Sequence, residues 1–177
     1  MKIKIIFLFT VILSLLNSCT RKAKEFNVND STEFVIPSSI SLFTPLSIAG
    51  KESKVNFEEE FENNNTRAKY LKEVRLEELK FTITSPPGKS FNFLKSVSIY
   101  LSTEGLPEVL LASKDNIENS GQLELFLQPS SENLIEYIKN DSYKIRCNAI
   151  TDEAIFQDIT IKGDIKFNIV SKAAIFR

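Results

Sequence analysis

Apolar and polar residues alternate with a period of two along most of the chain. Val97, Ile99 and Leu101 alternate with Ser98, Tyr100 and Ser102, and Leu123, Leu125 and Leu127 with Glu124, Phe126 and Gln128. Successive strand side chains point to opposite faces, so each stretch predicts a strand with one buried face. The longest run places Ile159, Ile161, Ile165, Phe167 and Ile169 on one parity. Gly163 falls on that parity and predicts a bulge or a close approach by another backbone. Leu79, Phe81 and Ile83 share a face before the stop Ser85-Pro86-Pro87-Gly88. Val109-Leu110-Leu111-Ala112 is apolar without a break, which predicts a strand covered on both faces. Residues 34–48 hold two extended segments broken by Pro37 and Pro45, as suits a sheet edge.

Two short helices interrupt this pattern. Leu134, Tyr137 and Ile138 have helical spacing, with Ser130 or Ser131 as the expected N-cap. Asn65 or Thr66 is expected to cap a second short helix through Tyr70, Leu71 and Val74. Seven or eight strands with short connections make the expected fold class all-β, an antiparallel β-sandwich of immunoglobulin-like or jelly-roll type. The alternation does not choose between the two topologies.

The N-terminus reads differently. Lys2 and Lys4 precede an apolar stretch from Ile5 to Leu16, which is too short for a membrane-spanning helix of about 20 residues. Leu16-Asn17-Ser18-Cys19 follows and resembles the lipobox of bacterial lipoproteins. The resemblance implies cleavage before Cys19, a diacylglycerol on its thiol and an acyl chain such as palmitate on its amine. Several acyl chains anchor a protein stably where one does not. Residues 1–18 are therefore expected to be a signal peptide, residues 19–32 a lipidated, flexible tether, and residues 33–177 one sandwich domain.

Thr20-Arg21-Lys22-Ala23-Lys24-Glu25 is basic at the site where surface lipoproteins of Bacteroidota carry an acidic cluster, and Thr20 stands where enterobacterial inner-membrane lipoproteins carry Asp. Both features favour the outer membrane with the domain facing the periplasm. Farther on, Phe81-Thr82-Ile83-Thr84-Ser85-Pro86, the stretch from Asn92 to Tyr100, and Ala149-Ile150-Thr151-Asp152-Glu153 with Gln157-Asp158-Ile159-Thr160-Ile161 resemble small uncharacterised envelope lipoproteins of Bacteroidota. That family has no assigned activity, so the resemblance implies an address and a β-sandwich and no catalytic residue.

Composition narrows the chemistry. The 177 residues include no histidine, which removes Ser-His and Cys-His nucleophile systems and imidazole metal ligands. A net charge of −1 argues against a nucleic-acid partner. With Cys19 acylated, Cys147 has no disulfide partner in the chain, and its place on an apolar parity predicts a buried thiol. Five glycines leave little material for a phosphate-cradling loop, and no cofactor is expected.

Four features remain as candidate sites. If Phe57-Glu58-Glu59-Glu60-Phe61-Glu62 is extended, Glu58, Glu60 and Glu62 share a face at roughly 6–7 Å spacing. Such a row could hold Ca²⁺, although a solvated edge strand is the simpler reading. Asp152, Glu153 and Asp158 could in principle serve glycoside hydrolysis, but nothing defines the cleft which that reaction needs. Without tryptophan, Tyr100, on the polar parity of its strand, is the best candidate for stacking on a sugar. Asp30-Ser31-Thr32 resembles the O-glycosylation acceptor of Bacteroidota, with Ser31 in the expected tether.

The expectation is a non-enzymatic binding or structural module of the cell envelope, anchored at Cys19, with a protein as partner. The alternative is a surface glycan-binding or adhesive lipoprotein.

Overall fold

The computed structural model describes residues 23–38, 40–51, 55–140 and 142–172. The expected signal peptide and Cys19 lie outside the described residues. Among the described residues, no helix is long and apolar enough to cross a membrane.

The described residues form eight strands: β1 (Lys24–Ile36), β2 (Leu46–Ala49), β3 (Leu71–Ser85), β4 (Leu94–Ser102), β5 (Val109–Lys114), β6 (Glu124–Pro129), β7 (Lys144–Thr151) and β8 (Ile159–Ser171). All pairings are antiparallel, in one curled sheet of order β1-β8-β3-β6-β5-β4-β7-β2. The half β1-β8-β3-β6 joins the half β5-β4-β7-β2 through only two residue pairs, Ala112 with Pro129 and Ser113 with Gln128. Each half interleaves early and late strands. This is the order of an eight-stranded jelly roll, a double Greek key, and it differs from the immunoglobulin arrangement.

The core explains the alternation. Ile159, Ile161, Gly163, Ile165, Phe167, Ile169 and Ser171 turn inward from β8, and Tyr143, Ile145, Cys147, Ala149 and Thr151 turn inward around β7. They pack with Phe34, Phe81, Leu79, Ile99, Leu101 and Leu125 in one continuous core. The outer face of the β8 half carries charge pairs such as Lys166 with Glu77 and Lys80 with Glu124. Exposed pairs of this kind contribute little to stability, and they keep the face polar. At the seam between the outermost strands, the Lys51 N–H donates to the Glu33 carbonyl at 3.0 Å and the Thr32 hydroxyl to the Lys51 carbonyl at 2.9 Å.

Several local expectations are corrected. The strand β1 begins at Lys24, so most of the stretch expected as a tether belongs to the domain. Its alternation was hidden because two of its inward residues, Asp30 and Thr32, are polar. Glu77 and Glu78 both face solvent because β3 slips register between Leu76 and Glu78. Leu111 and Ala112 are both buried because β5 slips opposite Ile99 and Tyr100. That strand is bulged, with Leu110 exposed, and is not covered on both faces. Gly163 lies in regular register between Thr32 and Phe81, and it is the Phe81 ring, not a passing backbone, that crowds it.

The acidic run is helical. Helix α1 (Phe57–Asn63) starts at Asn56, whose side chain accepts the Glu59 N–H. Glu58, Glu59 and Glu60 fall in its first turn, where the helix dipole favours negative charge. It ends in a Schellman motif: Thr66 N–H donates to the Phe61 carbonyl and Asn65 N–H to the Glu62 carbonyl, with Asn65 at φ 50°. Asn65 thus closes a helix and starts none; a single 3₁₀ turn, Ala68–Tyr70, leads directly into β3. Helix α2 (Ile135–Ile138) has Leu134 at its N-cap, not Ser130 or Ser131, and no side-chain cap; just before it, Asn133 Oδ1 accepts from both Ile135 N–H and Val74 N–H.

Candidate functional site: the two ends of the jelly roll

The strand ends divide the molecule into an N-terminal end and a distal end. At the N-terminal end lie the start of β1, the β2–β3, β4–β5 and β6–β7 connections and the end of β8. Lys24 Nζ donates to the Asn64 carbonyl at 2.5 Å, and Lys172 N–H to the Tyr70 carbonyl at 2.8 Å.

Helix α1 closes this end by inserting two aromatic rings. The Phe57 ring centroid lies 5.7 Å from Phe167, 6.0 Å from Tyr143 and 6.0 Å from Phe61. Beneath them the Tyr143 hydroxyl donates to the buried Asp30 carboxylate, whose other oxygen accepts the Ser31 N–H. Two residues far apart in sequence thereby satisfy a polar pair within an apolar core.

Beside the helix opens a cleft of about 1060 Å³ between α1, residues 66–69, the end of α2 and the start of β7. Phe57, Phe61, Ile138 and Tyr143 line its apolar part. Arg67, Lys69, Lys139 and Lys144 line it from the side of β3, α2 and β7, against Glu58 and Glu62 from α1. No sequence motif marks these cations, because they come from the β2–β3 connection, the β6–β7 connection and the start of β7. Thr66 also lines the cleft; it is 1% exposed, and its Oγ1 has no hydrogen-bond partner.

At the distal end the connections pin one another. Phe43 N–H donates to the Thr151 carbonyl, Ser38 N–H to the Asp158 carboxylate, Asp152 N–H to the Phe93 carbonyl and Phe91 N–H to the Gln122 carbonyl. On this braced platform Phe156 is 92% exposed and Phe43 62% exposed, with Leu42 beside Phe43 in the chain. Lys95 Nζ sits 5.3 Å from the Phe43 ring centroid. A shallow pocket of about 170 Å³ borders Phe156, lined also by Pro86, Lys89 and Ile155.

The candidate residues from the sequence do not converge on one site. Glu58, Glu60 and Glu62 are not a row on a strand, because α1 turns Glu60 away from the other two. Glu58 and Glu62 alone remain on one face of α1, and among the described residues no group of three or more carboxylate or thiol side chains could hold a metal ion. Tyr100 stands on the outer face with the Arg146 guanidinium 4.5 Å from its ring centroid. Arg146 in turn makes a two-point pair with Glu108, which holds the Glu108 carboxyl below its ordinary range. One face of the proposed sugar platform is therefore covered. Ser31 is exposed but lies within β1, not in a tether, and the preceding Asp30 is engaged in the core. Asp158 is held by the Ser38 N–H, as befits a loop carboxylate. Cys147 is buried, as its parity predicts, and burial pushes its thiol up to about 12. A thiol so held is a poor nucleophile.

No family model matches the chain, and no curated protein matches its sequence. A solved chain of desmodium yellow mottle tymovirus is similar over 86% of this chain and 91% of its own, at 9% identity and a TM-score of 0.24. A likeness that weak carries no argument about fold or function.

Proposed function

We propose that the protein is an envelope lipoprotein, held at the periplasmic face of the outer membrane through Cys19, that acts without catalysis and docks a protein partner through its distal end. The observation that carries the docking reading is the pair of exposed rings, Phe43 and Phe156, on mutually hydrogen-bonded loops opposite the chain's entry into the domain. Large apolar side chains left exposed on loops that hydrogen-bond to one another are the kind of anchor that interaction sites use. The anchor reading is supported by the lipobox, and the reading without catalysis by the absence of histidine and the burial of Cys147.

Photo-crosslinking in the native cell, with the probe at Phe156, tests the docking surface. A discrete crosslinked species that disappears when Phe43→Ser is added supports it. Crosslinks unchanged by Phe43→Ser, or none at all alongside capture by cell-surface glycans, would transfer the role to sugar binding.

A further inference from the structure

The cleft at the N-terminal end has no part in the distal docking surface, yet its chemistry is specific. Its charged lining comprises four cations, Arg67, Lys69, Lys139 and Lys144, and two carboxylates, Glu58 and Glu62, and Lys139 is in addition paired with Glu136 at 2.8 Å. The whole chain is slightly acidic, so this local excess of positive charge runs against the average. Cations clustered beside a low-dielectric wall focus the field and attract anions. Apolar rings form the adjoining surface, and a cleft of about 1060 Å³ matches the upper range of small-molecule sites.

The second observation is Thr66. A buried hydroxyl without a partner leaves a hydrogen-bonding capacity unused; among the described residues Thr66, Thr151, Asp152 and Ser171 each hold such an atom, and of these Thr66 lines the cleft. The Schellman turn at the end of α1 fixes Thr66 at the cleft wall next to Arg67. The Thr66 oxygen is itself covered, so a ligand oxygen reaches it through a small shift of the cleft wall beside Arg67.

The third observation is position. Lys24, at the start of β1, reaches the carbonyl of Asn64, two residues from Thr66. From Cys19 to Lys24 the chain spans five residues, at most about 17 Å when extended. With Cys19 in a membrane, the cleft is held within reach of lipid headgroups.

From these three observations we infer that the cleft binds a phosphate-bearing anionic headgroup, with Phe57, Phe61 and Ile138 covering the first carbons of the molecule that carries it. The recognition chemistry stands on the cleft alone; only the membrane as the source rests on the lipid-anchor reading above. A headgroup held there would set the domain's orientation on the bilayer and turn the distal end outward toward a partner.

The test uses the mature-length chain, residues 19–177, with Cys19→Ser, so that no covalent lipid contributes. Two probes separate the sources: vesicles containing phosphatidylglycerol, followed by co-sedimentation, and soluble glycerol 3-phosphate, followed by amide resonances of residues 66–69 and 139–144. Binding to vesicles alone assigns a membrane lipid, and binding to both probes assigns the phosphate ester in either form. In either case the double variant Lys69→Glu/Lys144→Glu should weaken binding at least tenfold, and Lys89→Glu/Lys95→Glu, the same charge change at the distal end, should alter it less than twofold. Thr66→Val should leave the melting temperature unchanged or raised while weakening binding several-fold, a split that loss of folding cannot produce. No binding to either probe, or binding that falls equally in both charge-reversal variants, overturns the inference. Failure of the lipid-anchor reading shows separately, as native protein without a lipid mass increment.

Discussion

Closing a curled sheet brings two edge strands together, and Gly50 sits where they meet. A Cβ added there would lie 2.5 Å from Thr32 Oγ1, 2.9 Å from Phe34 Cε1 and 3.2 Å from the Ile145 carbonyl oxygen. The Gly50 N–H also donates to that carbonyl at 2.8 Å, so the backbone cannot retreat without breaking a bond. Overpacking a tight site costs about 1–3 kcal/mol, and displacing the Thr32 hydroxyl from the Lys51 carbonyl adds about 0.5–1.5 kcal/mol. Gly50→Ala should therefore destabilise the domain by about 2–4 kcal/mol, lowering Tm by roughly 5–15 °C for a domain of this size. Gly88→Ala is the comparison: φ is +72° and nothing lies within 4 Å, so only left-handed backbone strain remains, about 1–2 kcal/mol. Urea unfolding of both variants measures the difference. Because the shortest contact is with Thr32 Oγ1, Gly50→Ala and Thr32→Ala should couple, the double variant losing less than the sum of the singles. An effect of Gly50→Ala under about 0.5 kcal/mol, in the range of an ordinary surface change, would refute the closed seam.

Other parts of the molecule make separate predictions. Tyr143→Phe leaves the Asp30 carboxylate buried without its hydroxyl donor and should cost about 1–3 kcal/mol in urea unfolding, with no loss in an Asp30→Leu background. Asn56→Ala removes the side-chain acceptor of the Glu59 N–H and should cost about 1 kcal/mol by the same assay. The folded Cys147 thiol is held up to about 12, whereas an unfolded thiol ionises near about 8.5. Its contribution to stability is complete below the lower value and falls as pH rises toward the higher one. Cys147→Ala should therefore show a shallower loss of stability than the parent over that alkaline window; equal slopes would contradict the assignment.

The strands were legible in the sequence wherever one face is uniformly apolar, as in β4, β7 and β8, because burial imposes the two-residue period directly. Legibility failed where the core itself is polar. In β1 the inward positions Asp30 and Thr32 are satisfied by Tyr143 and Lys51, partners 113 and 19 residues away respectively. It failed again where a bulge shifts the phase, at Leu76–Glu78 and at Leu111–Ala112. The acidic run between Phe57 and Phe61 fits either a strand or a helix over so few residues; the Asn56 cap and the insertion of both rings into one core decide for the helix. The cationic cleft was illegible because the β2–β3 and β6–β7 connections and the start of β7 meet only through the topology. The distal rings were visible as residues, but their exposure depends on loop paths that composition does not specify.

The central claim concerns the anchor, and the intact mass of the protein taken from its native membrane tests it most directly. Lipidation at Cys19 predicts a chain beginning at that residue, heavier than residues 19–177 by a diacylglycerol and an acyl chain, and lost from the membrane fraction in Cys19→Ser. A chain that keeps residues 1–18, or one cleaved elsewhere and carrying no lipid, would contradict it.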